Sequence, residues 1–537
     1  MAMDFGQNGK QALVDAQYAL LKRILRAQKG SSLFAQLGLQ RLESFTDFEN
    51  AYQGFCRAVA VQSAQAFLQG IAKMLPQGDL PPLEVLQNPN LLMRGKPSFA
   101  CPWHGSLLPV VPELVASQLA VERQLQEALR QQKIVSNGEV FYLFEQEVNR
   151  NDARRADGME QLPVPLKGWH GVLEQQRGAG LGGVLGSLLS KFGKGNAGMW
   201  PHHAGLPLGG SRWQWFNAMH DQLKTAGGKI EMLVTAPKTL IDFCLYVSQQ
   251  EGRFVLLREL LPNLKVMFLN HYDLALQRVE MGFLLGGLGH VRWLQWVYGP
   301  LGLQAWQADA NIRQRLDLPM AGEVFYEFIP LESVEAAGRL QRGYHRLHVG
   351  QVQVGREYVL VVSNTAGMLG INTGQIVKVL GLEPFQVALR GPVVQLHGLG
   401  EGIREDMLVE TLGNINSALV SHGVFVREAL LGHIVAERQP FWLLEVSRPL
   451  SELTNEILDS VARRLHAEID LRSVAYRTAY RGAAFKGPQV HFVPMGTFAA
   501  AFSASPQEFS QFDHTANASV CKKVLGVAWE SKLISVG

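Results

Sequence analysis

Cysteine is scarce in this sequence: Cys56, Cys101, Cys244 and Cys521 are the four in a chain of 537 residues. They are far apart and form no Cys-x-x-Cys pair, which argues against a disulfide framework and a paired-cysteine metal site and points to a reducing, cytoplasmic compartment. An excess of charge of one sign is also missing. Fifty Lys and Arg against 47 Asp and Glu leave a formal +3, too little to draw the chain to nucleic acid or an anionic membrane. No apolar run approaches the ~20 residues that span a bilayer, and the most lipid-like stretch, Ala179 to Leu189, is broken by glycines. The first residues lack a secretory apolar block. Instead Leu13, Leu20, Leu21, Ile24 and Leu25 recur at helical spacing among charges, which predicts a retained amphipathic helix. No Gly-x-Ser-x-Gly elbow occurs, which argues against an α/β-hydrolase. The glycine runs GAGLGGVLG and LLGGLGH do not fit a dinucleotide fingerprint.

What is present is a composition that is 47% hydrophobic, enough for a large core. Up to about residue 150 Leu, Ala and Gln recur at helical spacing, predicting a mostly helical region. Residues 151–213 carry RNDARRADG, a glycine-rich run and MWPHHAG, a composition that predicts an inserted loop. From about residue 214, helical patterns alternate with the β-like runs KIEMLVTA, DFCLYVSQQ, FVLLRELL, LKVMFLN, GEVFYEFIPLES and REYVLVVSN, predicting an α/β sheet. Near residue 395 glycines cluster in HGLGEG. Helix-like IREDMLVETLGNINSALVSHG, strand-like WLLEVS and helix-like LTNEILDSVARRLHAEI follow. The expected organisation is a large N-terminal α/β domain, 1–394, with the glycine-rich insertion around 151–213, and a small α+β C-terminal domain, 395–537.

The segments VFYEFIPLES (324–333) and VGREYVLVVSNTAGMLGINTGQIVKVLG (354–381) carry Glu327, Phe328, Ile329, Pro330, Gly355, Tyr358, Gly367, Gly374, Val377 and Val379 in order. Further matches are Pro237, LLPNLKVMF (260–268), Arg390, Glu401, Tyr476, Arg477 and GTF (496–498). In these residues the chain resembles the acyl-acid amido synthetases of the plant auxin-responsive (Gretchen Hagen) family, as a divergent, bacterial-like member. The resemblance implies an acyl-adenylating fold: a large body, a small C-terminal lid that swings about a hinge, and an active site between them. It also implies a reaction in which ATP with Mg²⁺ converts a carboxylic acid to an acyl-adenylate, which an amino acid amine attacks to give an amide.

Against that family pattern three nucleotide motifs depart. The phosphate loop falls at RGKPSFACPWHGSLL (94–108), where Ser98, Gly105 and Ser106 supply few contacts and Phe99, Pro102 and Trp103 stand where close backbone approach is needed. A structural loop is therefore expected there. The Tyr-x-Ser-Ser-Glu motif falls at VYGPLGLQ (297–304): Tyr298 and Gly299 match, and no side chain replaces the Mg²⁺ carboxylate. Gln375 stands where the family has the ribose-binding Asp, and keeps hydrogen-bonding capacity without charge. Arg390 is placed near the hinge and Lys522 near the lysine of the lid segment. The site-facing candidates implied are thus Tyr298, Gly299, Gln375, Arg390, Ser98, Ser106 and Lys522, with ATP and Mg²⁺ as altered or lost ligands.

Two other constellations stand apart from the resemblance. Cys101 and His104 have the types of a nucleophile and its base, which would permit ATP-independent acyl transfer through a thioester; a buried, inert thiol is the simpler reading. His202, His203 and His220 lack the spacing of a metal site, and no structural metal is expected. The expected function is that of a divergent amido synthetase homologue binding a small acyl or aryl carboxylic acid, with an amino acid or amine as second substrate. The alternatives are a non-catalytic protein that binds a small acid or a partner biosynthetic enzyme, and acyl transfer through Cys101.

Overall fold

The computed structural model describes residues 6–29, 32–63, 66–67, 99–103, 106–135, 139–143, 212–269, 275–286, 289–299, 301, 303–307, 315–320, 322–335, 339–392, 403–434, 439–485, 489–501 and 524. The insertion expected at 151–213, apart from its last two residues, and the boundary at 394/395 lie outside the described residues.

A mixed sheet of 11 strands occupies the centre, in the order β10-β9-β11-β12-β13-β8-β7-β6-β5-β4-β3. Its parallel part is β3 (Glu139–Leu143), β4 (Ile230–Thr235), β5 (Val266–Leu269) and β6 (Arg292–Tyr298). Its antiparallel part is β7 (Gln304–Trp306), β8 (Leu316–Asp317), β9 (Val324–Pro330), β10 (Leu347–His348), β11 (Glu357–Asn364), β12 (Ile371–Leu382) and β13 (Phe385–Pro392). A separate hairpin, β1 (Phe99–Trp103) with β2 (Ser106–Val110), precedes it in the chain. The parallel strands are apolar on both sides because helices cover both faces. Val140, Tyr142, Val234, Phe268 and Trp296 point into one core, while Phe141, Leu233, Met267 and Leu269 point into the other, the two-residue period of a strand.

Helix α1 (Gly6–Gln28) buries Leu20, Leu21, Ile24 and Leu25 in the first core, as its spacing predicts. Its Gln17, fully buried, donates to Met320 O at 2.7 Å and accepts from Tyr326 N at 2.9 Å, pinning the helix to the start of β9. Helix α2 (Phe48–Ala58) begins at Asp47, whose carboxylate caps Asn50 N. Helix α3 (Pro112–Gln131) adds Leu114, Val115, Leu119 and Leu129 to the first core. Helices α4 (Arg212–Ala226), α5 (Pro237–Glu251) and α6 (Ala275–Leu284) contribute to the second.

Two β-like runs are corrected by the structure. DFCLYVSQQ belongs to α5: Pro237 starts the helix, left-handed Gly252 (φ 64°) ends it, and Leu240, Ile241, Cys244 and Val247 form its buried stripe. An apolar run of that length fits a buried helix as well as a strand, and the flanking Pro and Gly decide. FVLLRELL contains one helical turn, Leu257–Leu260, whose Glu259 accepts from Leu256 N. The region up to residue 150 also holds β1, β2 and β3 alongside its helices.

The C-terminal unit is α+β. Helix α7 (Glu405–Leu419) is followed by β14 (Val426–Ile434) and β15 (Gln439–Val446), antiparallel, then α8 (Asn455–Arg472), α9 (Val474–Arg481) and β16 (Gln489–Val493), parallel to β15. Leu408, Leu412, Ile415, Trp442, Leu444, Val461, Leu465 and Tyr476 form its own core, which Leu276 of α6 joins. The unit sits on α5 and α6 through Lys238–Glu428, Arg427–Glu280 and a bond from Asn416 Nδ2 to Leu276 O at 3.0 Å. Among the described residues no helix is long and apolar enough to cross a membrane.

Candidate functional site

The residues after β11, Asn364 to Gly370, must reverse the chain into β12. Asn364 is fully buried: its Oδ1 accepts from Ala366 N, and its Nδ2 donates to Leu301 O, both at 3.0 Å. One amide thereby closes this turn and ties it to the turn after β6. Gly370 is left-handed (φ 63°), and a Cβ there would lie 2.8 Å from Ala60 O. The segment at Gln62 comes close enough to exchange two backbone bonds, Gln62 N to Gly370 O and Asn372 N to Gln62 O. Asn364→Ala leaves the Leu301 carbonyl and the Ala366 amide without this partner. A loss of ~1–3 kcal/mol is expected, checked by urea unfolding; an unchanged midpoint would remove Asn364 from this role.

Along β12 the ladder to β11 is interrupted between Val361↔Asn372 and Val359↔Ile376, so residues 373–375 face Leu360 alone. Thr373 Oγ1 donates to Leu360 O at 2.8 Å and accepts from Gln375 N at 3.2 Å, and Gly374 turns through φ 71°. This bulged segment holds Gln375 half-buried. Its Oε1 is buried and makes no hydrogen bond among the described residues, a buried acceptor left over.

On β13 the pairs Ile376↔Gly391 and Val377↔Leu389 leave Arg390 as the extra residue of a bulge, a device that re-aims a side chain out of the pleat. Arg390 Nε lies 3.7 Å from Glu357 Oε1. The other oxygen of Glu357 accepts from Arg404 Nη1 at 2.8 Å, and Arg404 also takes Asp406 through two bonds at 2.8 and 3.1 Å. Burial works against the Arg404 charge, but the carboxylates of Asp406 and Glu357 outweigh it and hold the guanidinium above its usual pKa. Beside this cluster opens a cleft of about 530 Å³ lined by Leu331, Glu332, Gly355, Arg356, Glu357 and Lys378.

The structure thus brings Gln375 and Arg390 onto one hairpin, and Asn364 links the turn containing Gly299 to the chain entering that hairpin. Tyr298 ends β6 opposite Gln304, and Gly299 N donates to Leu303 O at 3.2 Å. Cys101 and Ser106 lie on the β1–β2 ladder, opposite Leu108 and Trp103. Ser98, His104 and Lys522, and the side chains of Cys101, Ser106 and Tyr298, lie outside the described residues. His202 and His203 do as well, whereas buried His220 faces Glu251 at 3.7 Å, with burial lowering its pKa. Among the described residues no group of three or more His, Cys, Asp and Glu is placed to hold a metal ion. Sequence reasoning missed Glu357, Asn364 and Arg404. Each acts through a partner distant in the chain, and no local pattern marks it.

Residues 318–390 match the family model described as the GH3 family central domain, the segment from the end of β8 to Arg390. No curated protein matches the chain. Among solved structures, GH3.15 acyl acid amido synthetase is similar over 96% of this chain and 94% of that one, with a TM-score of 0.69 and 12% identity. The structure of that synthetase with 2,4-DB gives 0.63 at 14% identity over 97% and 94%. 2-Hydroxyisobutyryl-CoA ligase in the postadenylation state, in complex with R3-HIB-AMP, gives 0.54 at 9% identity over 97% and 92%. The chain therefore shares the fold of these acyl-adenylating enzymes, and its residues 318–390 are similar to the GH3 family central domain.

Proposed function

We propose that this chain is a divergent relative of the ATP-dependent acyl-acid amido synthetases. It binds a small acyl or aryl carboxylic acid between the body (1–394) and a C-terminal lid (395–537), and it grips the nucleotide through neutral rather than acidic groups. The reaction class is adenylation of the carboxylate with release of pyrophosphate, followed by attack of an amine, which forms the amide and releases AMP. The observation that carries the reading is Gln375: its Oε1 is buried and unbonded where the family places a ribose-binding acid, so a ribose hydroxyl is the donor it lacks. Arg390, re-aimed by its bulge, is suited to phosphate oxygens. The turn at 299–303 offers no carboxylate for Mg²⁺, and no step is assigned to a metal there. Support for this class also comes from the acyl acid and adenylate ligands of the similar structures.

The test is calorimetric binding of ATP with and without Mg²⁺. Weak, millimolar-range binding is expected, and Gln375→Asp should tighten it by about tenfold, the ~1.4 kcal/mol of a charge-assisted bond. Tight, Mg²⁺-dependent binding insensitive to position 375 would refute the neutral-grip reading. No binding by either protein would turn the assignment to a non-catalytic acid-binding or partner-binding protein.

A further inference from the structure

Glu357 on β11 and Lys378 on β12 stand directly opposite each other in the ladder, a placement in which opposite charges normally pair. They do not pair here. Glu357 is engaged by Arg404 at 2.8 Å and lies 3.7 Å from Arg390 Nε, and among the described residues the Lys378 ammonium has no hydrogen bond or ion pair. The strand period settles which way Lys378 points. Val377 and Val379 enter the first core, whereas Ile376 joins Ile329, Val359 and Val361 on the opposite face of the sheet, with Leu331 packed against them. Lys378 is on that second face, half-buried, in the wall of the cleft of about 530 Å³.

The other walls decide what the cleft can take. Leu331 is apolar. Gly355, held at φ 88°, adds no side chain, and a Cβ there would meet nothing within 4 Å. Arg356 pairs with Glu332 at 3.4 Å, with the two side chains 55% and 60% exposed, a pair too weak to hold the guanidinium against a better acceptor. The cleft thus presents one unpaired ammonium and one loosely paired guanidinium beside an apolar wall, at a volume in the range of small-molecule sites. We propose that it is a ligand site of its own, which takes a small organic anion: the phosphate or carboxylate group on Lys378 and Arg356, the apolar part against Leu331. The proposal stands apart from the nucleotide reading of Gln375 and Arg390.

The experiment acetylates the full chain with an amine-reactive ester and reads Lys378 by peptide mass spectrometry, in the presence of phenyl phosphate, benzoate or sodium chloride at equal ionic strength. At about 10 mM, phenyl phosphate or benzoate is expected to slow labelling about fivefold, the protection given by a Kd near ~2 mM. Chloride should leave the rate unchanged. Protection by one of the two organic anions and not the other upholds the site and names the group its ligand carries. Arg356→Gln should abolish the protection, and Glu332→Gln, which frees the guanidinium, should tighten binding about threefold. Neither should shift Tm, because the pair they break is exposed. Equal slowing by chloride, or protection indifferent to both substitutions, would show a solvated surface lysine and overturn the proposal. Protection by ATP that Gln375→Asp strengthens would make the cleft part of the nucleotide site and likewise overturn it.

Discussion

Glu327→Ala is expected to cost about 3–5 kcal/mol of unfolding free energy, the cost of stranding one partner of a buried ion pair. Glu327 is 0% exposed and Arg346 4% exposed, and Arg346 Nη2 donates to Glu327 Oε2 at 2.5 Å. Arg346 also reaches Val59 O and lies 5.4 Å from the centre of the Phe55 ring, so the pair fastens the end of α2 to β9. Burial opposes the Arg346 charge, and Glu327 more than restores it, raising the guanidinium above its usual pKa. Burial and the same carboxylate push the neighbouring Cys56 thiol up to about 11, which keeps it protonated and inert. Urea unfolding of Glu327→Ala, Arg346→Met and the double variant Glu327→Leu/Arg346→Met separates the pair's net worth from the penalty of breaking it. The double variant should recover much of the loss. Two small, additive effects would show that the pair carries no such energy.

The second large effect is expected at the seam between α5, α6 and β14. Consecutive residues Arg427 and Glu428 form ion pairs with Glu280 and Lys238, and the Arg427 and Glu280 side chains are only 11% and 7% exposed. Burial raises the Glu280 carboxyl and Arg427 pulls it back, so the arginine favours its charged form. Glu280→Ala leaves Arg427 with its contact to Met495 Sδ and should weaken docking of the C-terminal unit by about 2–5 kcal/mol. In scanning calorimetry the loss should appear as an earlier, separate transition for that unit. The exchanged pair Glu280→Arg/Arg427→Glu should move it back. A single unchanged transition would mean that the shared apolar contact at Leu276, not charge, seats the unit.

The features legible in the sequence are those whose hydrophobic pattern has one reading. The i, i+3, i+4 spacing of Leu20, Leu21, Ile24 and Leu25 gives α1, and the runs VFYEFIP and EYVLVVSN give β9 and β11 with almost every residue buried. DFCLYVSQQ has two readings, and only its Pro and Gly boundaries separate them. The scaffold role of Glu327 was visible as a motif position, yet its partner Arg346, 19 residues on, was not. Gln375 and Arg390 are marked in the sequence by their places in the family pattern. What sets them up, two local breaks in strand register, leaves no mark in composition because a bulge is a relation between strands. The pairs at the seam, such as Glu280 with Arg427, join residues 147 apart and are invisible to any local pattern.

The two residues of β8 are the neck of the large sheet. They meet β7 at one pair, Trp306↔Asp317, and β13 at two, Gln386↔Asp317 and Val387↔Leu316. The four parallel strands and the long antiparallel ladder are each knitted by broad pairings, whereas among the described residues few strand-to-strand pairs run between them. A substitution that shifts strand register on one side has little backbone through which to disturb the other. The antiparallel ladder, which the matched segment enters at Leu318, is therefore coupled to the parallel strands less through backbone than through the apolar core the two share, where Phe268 and Trp296 lie in one cluster with Phe325 and Leu360.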